Sequence, residues 1–382
     1  MSNKTIVIDV QSNFVMAGFA GSDKPMTALP AVLGKRKQKG VFVEMGHNDA
    51  YVGKEAMSKG KILTLKYPIQ RGLTVDWDGL EKLLHHALYN ELRCTPERHR
   101  LLITEFPLCP SEDREKLAQL LLDRLGLPSI CIARNAVLAL AASGRTTGVV
   151  LHIEGGVTHA VPVHKGLAIP DAIVRSELGT NDLTEYLATL LTDSGYSFTT
   201  TADRVIAQDI LEKLGRVALD LEKELKDAVA YSYELPSGEA INVGSNRFRV
   251  TEALFTPSLI EREFPGVHRA VYDAILKSDV ALREAMFSNV VLAGDAAVPV
   301  PDLTLRRDSV AQPRLFSANL RGEPVRGAVF SSMSPMLDRM VSIIVVETTH
   351  IRADDPIRGG FGRPVLVEPD SKLTERFTRV SP

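Results

Sequence analysis

Two stretches of the sequence share one pattern, and this pattern decides the fold. Residues 6–19 read IVIDVQSNFVMAGF, which is an apolar run, a short polar turn and a second apolar run. Residues 148–163 read GVVLHIEGGVTHAVPV and repeat this layout around the turn at 154–156. Short β-branched runs bounded by turn residues are typical of buried strands. The repeat predicts a duplicated α/β architecture, with two similar halves that face a cleft.

Segments with helical periodicity lie between these strands. Segments 78–92 and 202–226 carry apolar residues at helical spacing. A third helix is expected from Ser111, which we predict as its N-cap, up to Gly126. The run at 289–293 predicts one more strand.

Two further segments differ from this core pattern. Residues 34–55 are polar and contain the basic run at 35–39, so they predict a surface insertion. Near the end of the chain, 343–346 and 365–367 are short apolar runs that predict strands of a small sheet or hairpin.

The composition excludes several classes of protein. The 382 residues include 45 Lys+Arg and 47 Asp+Glu, a formal net charge of −2, which gives no support for nucleic-acid binding. No apolar run reaches the roughly 18 residues of a membrane span, and too few residues precede the first strand for a signal peptide. The three cysteines (Cys94, Cys109 and Cys131) are an odd number. They predict reduced thiols in a cytoplasmic protein.

Long literal stretches resemble one family. They include ILTLKYPI at 62–69, ASGRTTG at 142–148, GYSFTTTA at 195–202 and YELP at 233–236. In these stretches and their order the chain resembles actin, over about residues 4–340. The resemblance implies the two-lobed α/β fold of the actin-like ATPases, with ATP or ADP and Mg²⁺ as cofactors.

The resemblance also implies four subdomains. Their expected boundaries are 1–30, 68–142 and 322–382 for subdomain 1, 31–67 for subdomain 2, 143–178 and 263–321 for subdomain 3, and 179–262 for subdomain 4. The part of subdomain 1 from 342 to 382 departs from the family and is rich in predicted strands.

The resemblance assigns roles to residues of the two hairpins and of later segments. It implies that Asp9 lies on the metal side, and that Asn135 and His159 order the attacking water. Nucleotide contacts are implied for Ser12, Asn13, Phe14, Gly155, Gly156, Val157, Glu212, Gly294, Asp295 and Arg321. Glycine-rich turns hold phosphates because their backbone N–H groups approach the oxygens closely.

Several of these positions depart from the family pattern. Actins have Asp-Asn-Gly-Ser-Gly in the first hairpin, whereas residues 9–13 read DVQSN, and the lysine usual later in that hairpin is Met16. The second hairpin has Asp-Ser-Gly-Asp-Gly in actins and reads HIEGG at 152–156. Asn135 replaces a glutamine and is shorter by one methylene, which can misplace a water. We therefore expect weak or slow hydrolysis, because phosphoryl transfer depends on positioning and charge.

Different residues carry the expected subunit contacts. The resemblance implies self-association into filaments through Gly40, Val41, Met45, Tyr67, Gly166, Leu167, Leu259, Ile260 and Phe264. The last three form an apolar tip, and exposed apolar tips mark contact sites. Binding of the usual actin partners is doubtful, because the groove they use is expected to be lined in part by 333–340, which contains Pro335.

Three hypotheses for function follow. The first is a self-assembling actin-like cytoskeletal protein with an altered nucleotide site. The second is a scaffold subunit of the actin-related type that does not polymerise. The third is an active Mg-ATPase in which the unusual residues compensate one another, with His152 or Glu154 near the metal.

Overall fold

The structure, a computed structural model, describes residues 4–22, 24–36, 51–60, 62–218, 221–226, 230–294 and 365–367. The chain divides into two compact units. Unit 1 comprises Met1–Gly144 and Gly327–Pro382, and unit 2 comprises Arg145–Arg326. Strand content and helix content are mixed in both units, as expected for an α/β protein.

The described strands of unit 1 are β1 (Ile6–Val10), β2 (Phe14–Phe19), β3 (Thr27–Pro30), β4 (Leu33–Arg36), β5 (Tyr51–Val52), β6 (Leu63–Lys66), β7 (Ile69–Gln70), β8 (Leu73–Thr74), β9 (Leu101–Glu105), β10 (Ile130–Arg134) and β18 (Val365–Val367). Those of unit 2 are β11 (Gly148–Ile153), β12 (Thr158–His164), β13 (Leu167–Ala168), β14 (Val174–Ser176), β15 (Ser232–Glu234), β16 (Ala240–Asn242) and β17 (Val290–Gly294).

The described helices of unit 1 are α1 (Gly53–Ser58), α2 (Trp77–His85), α3 (Ser111–Gln119) and α4 (Asn135–Ala142). Those of unit 2 are α5 (Thr180–Asp193), α6 (Thr201–Leu214), α7 (Leu221–Lys226), α8 (Asn246–Glu252), α9 (Val267–Lys277) and α10 (Val280–Ser288). Wider π-helical turns continue α2 through His86–Glu91 and α3 through Leu120–Arg124. Short 3₁₀ turns lie at Pro96–Arg98, Pro170–Ala172 and Pro257–Ile260.

A six-stranded sheet forms the centre of unit 1. Its order is β18-β10-β9-β1-β2-β3, with β1, β9, β10 and β18 parallel and β2 and β3 antiparallel to their neighbours. One face carries an apolar core in which Ile8 and Ile103 pack with Leu121 and Leu127 of the helical layer. The parallel pairing brings the carboxyl ends of β1, β9 and β10 to one edge of the sheet, and polar side chains gather there.

Unit 2 has a sheet of five strands. Its order is β13-β12-β11-β17, and β14 also pairs with β12. Strands β11 and β12 form an antiparallel hairpin, while β17 runs parallel to β11. Burial is nearly complete along β11 and β12, because α9 and α10 pack against their sheet. Helices α5, α6 and α8 extend the same apolar core.

The expected strands at 6–10, 14–19 and 148–153 are confirmed, and the strand expected at 289–293 spans Val290–Gly294. A strand at Val365–Val367 is also confirmed, but it pairs with β10 in parallel instead of forming a separate sheet. The strand expected at 343–346 lies outside the described residues.

Two expectations about helices are wrong. Ser111 is the first residue of α3 and makes no capping hydrogen bond, because the extended Pro110 occupies the N-cap position. The helix expected over 202–226 is interrupted after Leu214. The Arg216 N–H donates to Arg247 O at 3.0 Å, so a tertiary hydrogen bond replaces the next turn of the helix.

We predict that Leu121→Ala lowers the free energy of unfolding by about 2–5 kcal/mol, because the side chain is fully buried and its loss leaves a cavity. Urea unfolding followed by circular dichroism measures the change. The matched control is Leu108→Ala in the same unit, where 40% of the residue is exposed. Equal losses in the two variants would contradict this packing.

Candidate functional site

The first hairpin turns through Ser12 and Asn13. The Gln11 N–H donates to Phe14 O at 2.9 Å, which closes the turn. Neither turn residue has a positive φ, so the turn forms without the backbone freedom of glycine. The structure thus brings Asp9, Ser12, Asn13 and Phe14 together where β1 turns into β2, and their roles toward metal and nucleotide stay predictions.

Asp9 is buried at the carboxyl end of β1, and the chain itself binds its carboxylate. The Oδ1 atom accepts a hydrogen bond from Thr104 Oγ1 at 2.8 Å, and Oδ2 accepts one from Gln11 Nε2 at 2.7 Å. Thr104 Oγ1 also accepts from the Val10 N–H at 2.9 Å. Both oxygens of the predicted metal-side carboxylate are therefore engaged by neighbouring donors.

Ser12 differs from Asp9 in its hydrogen bonding. Its hydroxyl is buried and has no hydrogen-bond partner among the described residues. A buried polar group without a partner costs free energy, on the order of 1–3 kcal/mol. A hydroxyl that can donate, next to the backbone of a tight turn, suits an oxyanion such as a phosphate oxygen.

The second hairpin turns through Gly155 and Gly156 and is closed in the same way. The Glu154 N–H donates to Val157 O at 2.9 Å. The first turn of α5 donates hydrogen bonds to two carbonyls of this hairpin. The Thr180 N–H donates to Glu154 O at 2.9 Å, and the Asn181 N–H donates to Gly155 O at 2.6 Å. These helix N–H groups are thereby occupied within the chain.

Gly179 makes this close packing possible. A Cβ at this position would lie 2.1 Å from Glu154 O and 2.6 Å from Gly156 N, distances that no side chain tolerates. The Asp182 carboxylate accepts from the Gly179 N–H at 2.9 Å and fixes the start of α5. The contact between the start of α5 and the hairpin therefore needs a glycine at position 179.

Buried polar side chains line the strands of the second hairpin. His152 and His159 are direct partners across β11 and β12. His152 Nδ1 lies 3.0 Å from Glu154 Oε1, and both residues are buried. Burial, followed by the charges of His152 and Arg175, lowers the pKa of His159 to about 3. His159 is thus neutral near pH 7, and neither ring nitrogen has a hydrogen-bond partner among the described residues.

Asn135 is the first residue of α4 and is buried. Its Oδ1 accepts a hydrogen bond from the Ala136 N–H at 2.7 Å. The side-chain oxygen that was expected to orient a water therefore already binds the start of its own helix, which competes with that role.

The remaining predicted nucleotide contacts are described in part. Glu212 lies on α6, where its Oε1 accepts from Gln208 Nε2 at 3.2 Å. Gly294 ends β17 with a φ of 105°, and a Cβ there would lie 2.0 Å from Ile153 O. The close approach of β17 to β11 by itself requires a glycine at position 294, with or without a bound ligand. Asp295 and Arg321 lie outside the described residues.

Each hairpin, taken by itself, fits a phosphate group better than a metal ion. The Ser12 hydroxyl is a buried donor without a partner, and Gly155 and Gly156 form a turn without side chains. No group of three or more His, Cys, Asp or Glu residues within the described ranges could hold a metal ion. Mg²⁺ prefers oxygen ligands, and the position that gives an aspartate in actins is His152. A magnesium ion does not fit these residues as direct ligands.

Of the six predicted subunit-contact residues within the described ranges, two are exposed and four are half-buried. Tyr67 is 43% exposed and Leu259 is 46% exposed. Gly166 and Leu167 belong to the tight turn between β12 and β13, in which Lys165 and Gly166 both have positive φ. Ile260 and Phe264 are half-buried, and Ile260 packs against the core of unit 2. Gly40, Val41 and Met45 lie outside the described residues.

Sequence reasoning missed Thr104 and Gly179. Thr104 binds Asp9 from 95 residues away, so only the parallel pairing of β1 with β9 brings them together. Gly179 has a local signal that could have found it, because a glycine directly before an apolar-periodic helix with Asp182 in its first turn is typical of a helix start.

Two further findings concern membrane-spanning helices and similarity to a known family. Within the described ranges, no helix has the length and apolar character that crossing a membrane requires. A family model described as Actin matches residues 1–309. The resemblance was expected to extend to about residue 340, and the match ends some thirty residues earlier.

We predict that acid weakens the fold through His159. Its folded pKa of about 3 lies below the unfolded value of 6.5, so the unfolded chain binds the proton first as the pH falls. The contribution of His159 to the free energy of unfolding is therefore fully present above pH 6.5. It falls as the pH decreases further, by about 2 kcal/mol at pH 5. His159→Gln should remove this part of the pH dependence in urea unfolding, whereas His85→Gln at an exposed site should keep it. An unchanged slope in His159→Gln would refute the assignment.

We also predict that Gly179→Ala destabilises the protein by about 1–3 kcal/mol, because the added methyl group must push α5 away from the hairpin. Thermal and urea unfolding measure this loss. Gly60→Ala is the matched control, since its nearest atom lies 3.2 Å from the added Cβ and its φ is not positive. Equal stability of the two variants would argue against the close contact.

Proposed function

The chain belongs to the actin family, and we propose that it is a cytoskeletal protein that self-assembles into filaments and has an altered, weakly or slowly hydrolysing ATP site. Family membership alone does not establish an activity, so the proposal depends on the residues of each site. The observation that carries it is a contrast between two regions. Leu259 is exposed in the predicted contact segment, whereas the Asp9 carboxylate and the Glu154 and Gly155 carbonyls of the hairpins are engaged by the chain itself.

The nucleotide part of the proposal follows from the hairpins. Ser12 offers a free buried hydroxyl to a phosphate, which supports binding of ATP or ADP. Asp9 is held by Gln11 and Thr104, and the Asn135 oxygen is held by Ala136. Hydrolysis needs a precisely held water and charge stabilisation at the phosphate. With these groups engaged elsewhere, we propose that the nucleotide binds but turns over slowly.

The two hairpins also support a duplicated architecture. Each unit contains an antiparallel hairpin, and the first strand of that hairpin also pairs in parallel with a later strand. These parallel pairs are β1 with β9 in unit 1 and β11 with β17 in unit 2. Each turn is closed by an N–H to carbonyl hydrogen bond of 2.9 Å between its first and fourth residues. We propose that the two units are the two lobes of the actin fold. The division into four subdomains stays a prediction.

The assembly part of the proposal rests on exposed apolar side chains. Leu259 protrudes from the 3₁₀ turn Pro257–Ile260, and Tyr67 lies in the segment that joins β6 and β7. Head-to-tail contacts between such surfaces generate open filaments when the rotation between subunits does not close a ring. The three cysteines form no disulfide among the described residues, which supports the proposed cytoplasmic location.

High-speed pelleting over a range of protein concentrations, with electron microscopy of the pellets, tests the proposal. Fibres should appear above a critical concentration, and bound nucleotide should be found by extraction and chromatography. If nothing pellets with Mg-ATP, Mg-ADP or EDTA, the filament proposal fails, and a non-polymerising scaffold subunit becomes the better reading.

We predict that Leu259→Asp raises the critical concentration about tenfold or more, because a charge replaces an apolar side chain at the contact and must be desolvated there. Pelleting measures the change. Val205→Asp is the matched control, since Val205 is 47% exposed on α6 and lies outside the proposed contacts. Equal effects of the two substitutions would remove Leu259 from the interface.

A further inference from the structure

Two arginines of unit 2, Arg216 and Arg247, lie side by side and form no ion pair with any described residue. The Arg216 N–H donates to Arg247 O at 3.0 Å, and Arg216 O accepts a hydrogen bond from Thr251 Oγ1. Arg216 follows α6, and Arg247 lies in the first turn of α8. These backbone contacts hold the two residues together where the chain leaves the helical path after Leu214.

Arg247 is buried and is oriented by aromatic rings. Only 8% of the residue is exposed, and its guanidinium carbon lies 3.8 Å from the ring centre of Tyr231 and 4.8 Å from that of Phe248. Its Nε atom is buried and has no hydrogen-bond partner among the described residues. The stacking fixes the plane of the guanidinium, so an acceptor for the unpaired Nε–H would have to lie in that plane.

Arg216 adds a second positive charge. It is half-buried, and its only side-chain hydrogen bond within the described ranges runs from Nη1 to Gly215 O at 2.8 Å. Burial, followed by the charge of Arg247, lowers the pKa of Arg216, as expected for two like charges on residues that a backbone hydrogen bond holds together.

Other arginines of unit 2 show the usual arrangement. Arg175, Arg204, Arg262 and Arg269 each face a carboxylate, at Glu177, Glu185, Asp182 and Asp273 respectively. Neither Arg216 nor Arg247 makes such an ion pair with any described residue. Two adjacent like charges without a counter-charge are unfavourable in a partly buried place, and an anion would relieve the repulsion.

We propose that Arg216 and Arg247 form an oxyanion site for a phosphate-type dianion, either free phosphate or the phosphate of a phosphorylated side chain. A dianion matches the two positive charges, and guanidinium groups bind phosphate oxygens through paired N–H donors. Tyr231 positions Arg247 by stacking on it. This site is built from neither hairpin and does not depend on the proposed function.

Titration calorimetry with inorganic phosphate, in EDTA at constant ionic strength and without nucleotide, tests the site on the full chain. Arg216→Gln should weaken phosphate binding about tenfold or more, because one charged donor set is lost. Arg249→Gln is the matched control. Arg249 is exposed on α8, the helix that also carries Arg247, and its substitution changes the net charge as much as Arg216→Gln does. Its affinity should change less than about twofold, because exposed charges interact weakly with a distant ligand.

Two further variants and a second ligand complete the test. Tyr231→Phe keeps the ring and should keep the affinity, whereas Tyr231→Ala should weaken it. A short phosphoserine peptide that binds more tightly than phosphate would identify a phosphorylated side chain as the source of the anion, and equal or weaker binding would identify the free ion. Undetectable phosphate binding, equal effects of Arg216→Gln and Arg249→Gln, or loss of binding only in Ser12→Ala would each overturn the proposal.

Discussion

Buried polar groups must find partners within the chain unless a ligand supplies them, and this requirement shapes both hairpins of the protein. In unit 1, Gln11 and Thr104 donate to the buried carboxylate of Asp9. In unit 2, the first N–H groups of α5 donate to the carbonyls of Glu154 and Gly155. The buried Ser12 hydroxyl has no hydrogen-bond partner among the residues that the structure describes. The proposed nucleotide site thus keeps a phosphate donor at Ser12, while the chain itself occupies several of the atoms that the chemistry would need.

Much of the fold could be predicted from the sequence, because its signals are local. The β-branched runs around 6–19 and 148–163 identify both hairpins, and the turns lie at the predicted residues. The helix predicted over 202–226 failed because Arg216 bonds to Arg247, about thirty residues away, and no local pattern contains that contact. The hydrogen bond from Thr104 to the buried Asp9 could not be predicted for the same reason. It depends on the pairing of β1 with β9, which are distant in sequence.

The candidate site could be predicted only in part. The sequence identified Asp9, Ser12 and His159 as residues of the hairpins, and the structure places them there. It could not indicate that the Asn135 oxygen binds the start of its own helix. Gly179 has the sequence signal of a helix start, but that signal does not give its close contact with the second hairpin. Both facts concern the position of backbone atoms to within an ångström, which residue types alone do not specify.

The proposed assembly and the proposed nucleotide chemistry use different atoms. Leu259 and Tyr67 are exposed side chains, and their exposure does not depend on Mg²⁺ or on a water held for attack. Substitutions in the hairpins can therefore weaken hydrolysis and leave the contact segments unchanged. The Arg216 and Arg247 pair would then give the protein a separate response to phosphate.

The most direct test of the central proposal is to follow assembly by light scattering and phosphate release by a coupled assay in the same Mg-ATP reaction. Assembly that reaches its plateau while only a small fraction of the subunits has released phosphate is the predicted result. Release of one phosphate per subunit in step with assembly would show that the hairpins support normal hydrolysis, and it would contradict the proposed loss of water and metal positioning.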